Sequence, residues 1–535
     1  MSQDLRLNYK KISNVIIEDY NNQLFSVLNR SPDINIVAVH VSSPEDKKEI
    51  NDEFPDIPVY LTSEIISWKK RYAKKEEIIK HYNSQLKVEH FFNRALSCTI
   101  SERESYYYSS LAFWSELFDE NNIDCVLIGR IEHGSPSDTL PINLALERNI
   151  PTYVFEIMLY DYDTENMYYG IKEYNTNKYV NISQYSVTYT KSHEIGKYIK
   201  RVTDRKKDSK NSNSIESLKL EDLPHNFRNN NIRLTITNII LHLINCQLSI
   251  YSTIASILKI QYNKQKEGKK IFAKIGKKII YLNYYWSFIR GKKVRMLGLV
   301  VPESPITYIR GWHTINKHRR YYQKHAVKNI SNDEKYILYA LHFEPEASIM
   351  ARTIYNSQLY NILALSHALP EGWKLYVKEH PSQFNPAMGP HFLKNINIYR
   401  NKSYYNFIRS LPNTHLLDSN LSSQSLINGN DNSIPKPKAI STINGSITLE
   451  AIVNNIPVVL FDKSTVSYES PLIIDVEDMN NLPKIMQNIA TGNYHENDME
   501  LLINSIEDKL FICTPKHEFL LPDDFILNLV HKNIK

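Results

Sequence analysis

At 535 residues and 62.5 kDa the chain exceeds one ordinary hydrophobic core, so its length predicts two or three domains. An apolar fraction of 42% with 23% charged residues is typical of a soluble globular protein. The four cysteines lie far apart without a CxxC pair, and the first thirty residues contain no apolar run typical of a secretory signal, so we expect a cytoplasmic protein.

The amino-terminal part of the chain alternates β-rich runs with helical patterns. INIVAVHV, DCVLIG (124–129) and TYVFE (152–156) predict strands, and we expect residues 1–200 to form a Rossmann-like domain. The polar stretch at 203–222 predicts a linker or loop.

A strongly basic segment follows. Residues 259–295 contain 12 Lys/Arg and one acid, and the rest of the chain has a net charge of −5. Lysines interleaved with Ile, Phe, Tyr and Trp suit a helix on an anionic bilayer surface, although a solvated basic face is an equal alternative. No recognition motif supports nucleic acid as the partner.

Residues 234–258, just before this segment, carry no charge over a length that could span a bilayer. Asn238, His242, Asn245 and Gln247 interrupt the stretch, and a spanning helix would carry them at a cost. A buried or interfacial helix is the better interpretation.

The second half of the chain predicts a parallel sheet. KYILYALHF, KLYVKEH, THLLD, KAISTIN and PVVLF read as strands with helical patterns among them, a βα repeat that places helices on both faces. Ligands of such sheets bind beyond the carboxyl ends of the strands.

Three of these strands end in polar clusters, which we expect to meet at one site. The first is LHFEPEAS, with His342, Glu344 and Glu346; the second has Lys378, Glu379, His380 and Pro381; the third has Asn444, Gly445, Ser446 and Glu450.

Each cluster has a chemical interpretation and an ordinary one. A Gly-Ser helix start presents free N–H groups to a phosphate, but Ser446 is equally an N-cap. His380, fixed by Pro381, suits a phosphate oxygen, but lone histidines after strands are common. Glu344 and Glu346 suit acid–base or nucleophilic work, or form a solvated acidic loop. Glu450 lies where it could accept hydrogen bonds from ribose hydroxyls.

Several motifs are missing from the sequence: GxGxxG, GxxxxGK[ST], HExxH, GxSxG and Cys/His metal patterns. Hydride transfer, P-loop chemistry and zinc hydrolysis therefore lose support, and we expect no metal cofactor. A two-domain glycosyltransferase is the natural candidate.

The motifs LHFEPEAS, LPEGWKLYVKEHPSQ and STINGSITLEAIVNNIPVVLFD resemble the carboxyl-terminal domain of bacterial capsule and surface-polysaccharide synthesis proteins with a GT-B fold. Relatives transfer Kdo or sialic-acid-like sugars from CMP-activated donors. The resemblance implies that His380, Pro381 and Ser446 bind the nucleotide phosphate, with Glu450 near the ribose. It makes Glu346 the catalytic carboxylate, whereas Glu344 stands where the family has Gln.

The amino-terminal half resembles the family by pattern alone. In DCVLIGRIEHGSPSDTLPINLALERNIPTYVFE, the residues His133, Ser135 and Asp138 become acceptor-side candidates, although an ordinary βαβ loop explains them as well.

These expectations combine into one hypothesis about fold and function. Two Rossmann-like domains, 1–200 and 331–510, would face a cleft in a GT-B-like α/β fold, with the basic helical insertion 201–330 between them and a tail, 511–535, packing back on the first domain. The second domain would bind a CMP-sugar, with His342 and Glu344 beside the catalytic Glu346, and Lys378 and Asn444 beside the phosphate ligands.

The partners expected are a nucleotide sugar, a glycan or lipid-linked glycan acceptor, and the anionic inner face of the membrane. A UDP-sugar-dependent transferase and a non-catalytic scaffold of a polysaccharide assembly or export complex remain open as alternatives.

Overall fold

The computed structural model describes most of the chain outside its middle third. The described residues are 12–18, 20–41, 43–81, 100–129, 139–161, 166–183, 294–296, 299–301, 305–346, 349, 355–384, 396–429, 434–463, 466–496, 498–513 and 521–531. The uncharged stretch 234–258, all of the basic segment but its last two residues, and the acceptor-side candidates His133, Ser135 and Asp138 lie outside them.

The first domain is built on a mixed sheet. Its strands are β1 (Ser13–Glu18), β2 (Ile34–Val41), β3 (Val59–Leu61), β4 (Cys125–Ile128), β5 (Thr152–Asp161), β6 (Asn166–Glu173), β7 (Lys178–Tyr179) and, from the far end of the chain, β16 (Leu510–Cys513). The order is β16-β6-β5-β4-β1-β2-β3, with β7 beside β6. Strands β1 to β5 pair in parallel, whereas β6 runs antiparallel to its three neighbours.

The helices of this domain follow its parallel strands. They are α1 (Asn22–Asn29), α2 (Pro44–Glu53), α3 (Thr62–Ile65), α4 (Lys75–Lys80), α5 (Ile100–Glu120) and α6 (Thr139–Glu147). Successive side chains of β1 point to opposite faces of the sheet: Val15 and Ile17 belong to one apolar cluster, and Ile16 belongs to another. Both faces of the sheet are therefore apolar, and both are buried.

The second domain has a sheet in which all strands are parallel. Its strands are β10 (Tyr336–Ala340), β11 (Lys374–Lys378), β12 (Thr414–Leu417), β13 (Ala439–Thr442), β14 (Val458–Leu460) and β15 (Ile473–Asp475). Their spatial order, β12-β11-β10-β13-β14-β15, is the 3-2-1-4-5-6 order of a Rossmann sheet. The order reverses between β10 and β13, which makes that gap the topological switch point.

Helices cover both faces of this sheet as well. They are α7 (Pro305–His325), α8 (Gln358–Ala368), α9 (Lys402–Ser410), α10 (Ser423–Asn428), α11 (Ile447–Val453), α12 (Leu482–Ala490) and α13 (Met499–Glu507), with 3₁₀ turns at Pro381–Phe384 and Met479–Asn481. A small hairpin, β8 (Val294–Met296) with β9 (Leu299–Val301), precedes α7. The last two residues of the predicted basic helix, Val294 and Arg295, therefore lie in a strand.

The chain returns to the first domain at its end. Strand β16 pairs with β6, and the last helix, α14 (Asp523–His531), packs against α1. Apolar side chains also join the two sheets, since Leu159 and Tyr168 of the first belong to the same buried cluster as Tyr336 and Leu338 of the second.

The predicted fold class is confirmed: this is an α/β protein with two Rossmann-like sheets. The cleft between the domains stays a prediction. Among the described helices, none combines the length and the apolar character that crossing a bilayer requires.

Candidate functional site

The three polar clusters predicted from the sequence follow strands that lie side by side. Strand β10 pairs with β11 on one side and with β13 on the other, and all three run in the same direction. Their carboxyl ends therefore share one edge of the sheet, and the first and third clusters flank the switch point where such sheets bind ligands.

His342 connects the first cluster to the third. Its Nε2 lies 3.2 Å from the backbone nitrogen of Asn444 and 3.0 Å from Thr442 Oγ1, and its Nδ1 lies 3.4 Å from Glu346 Oε2. A backbone N–H can only donate, so Nε2 of the neutral ring accepts and the proton is on Nδ1, directed at Glu346. His342 thereby orients Glu346 and is itself 8% exposed.

Gly445 is required beside this histidine. Its φ is +147°, a conformation that side chains with a Cβ rarely adopt, and a Cβ there would lie 3.3 Å from His342 Cε1. The close packing fixes the turn that leads from β13 into α11.

Two glutamines clamp the loop after β10. The side chain of Gln358 accepts from the N–H of His342 at 2.7 Å and donates to its C=O at 3.3 Å. Gln383 does the same for Glu344, at 2.8 and 2.9 Å. Both glutamines are buried, and their side chains supply the partners that the backbone groups of this loop do not find in a strand or helix.

Glu344 and Glu379 are held by a buried guanidinium. Arg400, 0% exposed, donates through Nε to Glu379 Oε2 at 2.8 Å and through Nη1 to Glu344, and Tyr405 donates to Glu379 at 2.8 Å. Burial alone would lower the pKa of Arg400, but Glu379, Tyr404 and Glu344 raise it well above its usual value, so the charge persists.

Tyr322 completes this network from α7. Its hydroxyl donates to Leu417 O at 2.6 Å and accepts from the N–H of Glu379 at 3.0 Å. Burial, reinforced by Glu379, raises the pKa of Tyr322 well above the usual value, so the hydroxyl keeps its proton. The loops after β10, β11 and β12 are thus held together by ionic and hydrogen-bonded groups.

The three acidic side chains near this edge differ in exposure. The side chain of Glu379 is 0% exposed, that of Glu344 16% and that of Glu346 36%. Glu344 is paired with Arg400 and is not part of a solvated loop. Glu346 is the carboxylate that both reaches solvent and is oriented by a histidine.

His380 begins a tight turn at the end of β11. Pro381 opens the 3₁₀ turn, and Nδ1 of His380 accepts from the N–H of Ser382 at 3.2 Å. The proton of the neutral ring is therefore on Nε2, which makes that atom a donor. Lys378 is buried, and its C=O accepts from Leu341 N at 2.9 Å, joining the loops after β11 and β10.

The third cluster presents an exposed turn. Gly445 and Ser446 are exposed, and the Ser446 hydroxyl makes no capping hydrogen bond, unlike most N-cap serines. Asn444 is buried at the base of the turn, and Glu450 lies half-buried one helical turn on.

Sequence reasoning missed Arg400, Gln358, Gln383 and Tyr322. Tyr322 and Gln358 lie in helices, Gln383 in a 3₁₀ turn and Arg400 in the loop before α9, and each acts through groups that are remote in sequence. Within the residues that the structure describes, no group of His, Cys, Asp and Glu side chains could hold a metal ion.

The fold defines the class of this chain as an α/β protein with two Rossmann-type sheets. No family model and no curated protein matches the sequence. Fold comparison aligns it with UDP-GlcNAc 2-epimerase from Methanocaldococcus jannaschii at 10% identity and a TM-score of 0.19, covering 97% of this chain and 100% of that one.

Two further alignments are of the same quality. S. aureus MnaA in a co-structure with UDP aligns at 11% identity and a TM-score of 0.21, covering 98% of this chain and 96% of that one. A UGT transferase from Siraitia grosvenorii in complex with UDP aligns at 10% identity and a TM-score of 0.16, covering 98% and 95%. At such TM-scores these likenesses carry no functional argument, so function is argued from the site.

Proposed function

We propose that the chain is a glycosyltransferase that binds a nucleotide sugar at the carboxyl edge of the second sheet. The observation that carries the proposal is the meeting of three polar strand ends at the switch point, with an exposed Gly-Ser turn and an oriented carboxylate side by side. Sheets with this strand order bind their ligands at this position.

The donor phosphate is proposed to lie at this edge of the sheet, within reach of the second and third clusters, which are on either side of the first. Nε2–H of His380, the hydroxyl of Ser446 and the N–H groups of the Gly445–Ser446 turn supply donors to its oxygens. These fixed donors stabilise the charge that develops on the departing nucleotide. Glu450 accepts hydrogen bonds from the ribose hydroxyls, and Asn444 and Lys378 form the base of the phosphate-binding site.

Glu346 is proposed to act at the anomeric carbon. As a base it takes the proton of the acceptor hydroxyl, and as a nucleophile it forms a glycosyl-enzyme that the acceptor then resolves. His342 positions the carboxylate through Nδ1–H, and Glu344 supports the loop through Arg400. The two roles predict products of opposite anomeric configuration.

The sugar is proposed to be a Kdo- or sialic-acid-like ulosonic acid activated by CMP, placed on a capsule, lipopolysaccharide or other surface glycan. The support for this choice is the resemblance carried by LHFEPEAS, KEHPSQ and INGSITLE. The acceptor, on a lipid carrier, is assigned to the first domain, with the protein on the inner face of the membrane.

The nucleotide assignment is tested by thermal shift with CMP, UDP and GDP. A ligand that binds only the folded protein raises its melting temperature. We expect the largest rise with CMP. A larger rise with UDP would replace the donor by a UDP-sugar, and no rise with any nucleotide would favour a non-catalytic scaffold.

The site assignment is tested by titrating CMP into His380→Ala and Ser446→Ala. Loss of a hydrogen bond to a charged phosphate is expected to raise Kd about tenfold or more. His367→Ala and Ser403→Ala, exposed positions on α8 and α9, are matched controls whose Kd stays at the wild-type value. Unchanged affinity in both site variants would overturn the assignment.

A further inference from the structure

Helix α7 exposes four Lys/Arg side chains and one histidine in a row on one face. Arg310, His313, Lys317, Arg320 and Lys324 are spaced three and four residues apart, and all five are exposed. Because an α-helix has 3.6 residues per turn, these positions form a single line about 21 Å long. We call these five residues the basic stripe.

The opposite face of α7 anchors the helix to the domain. Gly311, Ile315, His318 and Tyr322 are buried and repeat with the same spacing. Tyr322 is fixed by its bonds to the strand ends. These contacts prevent α7 from rotating about its own axis, so the basic stripe faces away from the core of the domain.

Helix α9 extends this cationic surface. Lys402 Nζ lies 5.3 Å from the ring centroid of Tyr321, which is one helical turn from both Lys317 and Lys324. Arg409, two turns along α9 from Lys402, is also exposed. Two adjacent helices thus present cations over a broad face.

The positive charge is not balanced locally. Residues 305–330 and 396–411 contain no Asp or Glu, and no described acid forms an ion pair with the stripe, Lys402 or Arg409. Burial, helped by Lys317 and Lys402, lowers the pKa of His318 to about 4. Burial together with Arg320 likewise lowers the pKa of Arg319. Burial is the larger cause of both shifts, and the smaller contributions of Lys317, Lys402 and Arg320 have the sign that neighbouring positive charges produce.

We propose that the basic stripe of α7, together with Lys402 and Arg409 of α9, docks the protein on an anionic phospholipid bilayer. A straight line of basic side chains on a fixed helix suits a flat anionic surface.

An exposed apolar side chain favours a bilayer over nucleic acid. Ile398, four residues before Lys402 in the chain, is 59% exposed. A membrane interface accepts such side chains beside cations. The sequence adds further cations directly before α7, since residues 259–295 contain 12 Lys/Arg and one acid.

The test is vesicle co-sedimentation of the full chain. Vesicles of phosphatidylcholine with about 30% phosphatidylglycerol are compared with pure phosphatidylcholine, at about 0.1 M and about 0.5 M salt. We expect the wild type to bind only the anionic vesicles and only at low salt. The triple variant Lys317→Glu, Arg320→Glu, Lys324→Glu is expected to bind on the order of a hundredfold more weakly.

A variant with the same charge change is the matched control. Lys335→Glu, Lys438→Glu and Lys484→Glu reverse three exposed lysines that lie outside α7 and α9, and binding is expected to stay within about twofold of the wild type. Near-ultraviolet circular dichroism establishes that both variants are folded.

Three results would overturn the proposal. The stripe variant could bind vesicles like the wild type, which would leave membrane binding to residues 259–295. Both variants could weaken equally, which would indicate net charge alone. The stripe variant could lose binding to a labelled RNA while keeping vesicle binding, which would make the surface a nucleic-acid site. CMP binding is independent of all three results.

Discussion

Arg400 holds the loop after β10 to the loop after β11. Its guanidinium contacts the carboxylates of Glu379 and Glu344, and its Cζ lies 4.3 Å from the ring centroid of Tyr404. Removal of one member of a buried ion pair costs more than removal of both, because it leaves an uncompensated charge.

Arg400→Met is therefore expected to lower the free energy of unfolding of the second domain by about 3–5 kcal/mol. The reason is that Glu379 would remain fully buried with Tyr405 as its remaining side-chain donor among the described residues. Hydrogen exchange of the β10 and β11 amides under EX2 conditions measures the loss.

Adding Glu379→Gln to Arg400→Met is expected to restore part of the stability, since the unpaired charge is removed. Arg409→Met, an exposed arginine on α9, is the matched control and should stay within about 0.5 kcal/mol. Strict additivity of the two substitutions at Arg400 and Glu379 would contradict the ion-pair account.

Single residues of the site could be predicted only in part. His342, Glu346 and His380 could be named because polar side chains after apolar strands stand out in a sequence. Arg400 could not, because its sequence context, NIYRNKS, has no periodic or motif signal. The ion pair of Glu344 was also beyond the sequence, since its partner lies far along the chain.

Five strands of the second domain follow from the apolar runs and breaks of the sequence, which predict a parallel sheet, whereas the edge strand β15 is not among the strands read from the sequence. The glutamine clamps between these elements could not be predicted from the sequence. Gln358 begins α8 and Gln383 lies within the 3₁₀ turn Pro381–Phe384, and each satisfies a backbone stretch that neither sheet nor helix pairs.

Gln383→Met keeps the length of the side chain and removes its amide. It leaves the N–H and C=O of Glu344 without this partner, at a cost of about 1–3 kcal/mol for each buried group. We expect a lower melting temperature, faster exchange of the Glu344 amide and weaker CMP binding.

Gln487→Met, an exposed glutamine on α12, is the control for this substitution and should change none of these quantities. Wild-type exchange at Glu344 in the Gln383 variant would show that the clamp does not order the loop.

At the scale of the whole molecule, the two ends of the described chain form one core. Phe511 of β16 and Phe525 and Ile526 of α14 belong to the same buried cluster as Val15 and Ile17 of β1. Composition and periodicity reveal short strands and helices but not which distant element they pack against. The antiparallel pairing of β16 with β6 is a tertiary contact of this kind.

Ile526→Ala is expected to destabilise the first domain by about 2–5 kcal/mol, because the side chain is 0% exposed and its removal leaves a cavity. The effect should appear as faster hydrogen exchange in β1 and β2, although the substitution is near the other end of the chain. Asn528→Ala, an exposed neighbour on α14, is the control and should leave that exchange unchanged. If exchange instead accelerated only within α14, the helix would be a separate unit, and the first domain would not depend on the return of the chain.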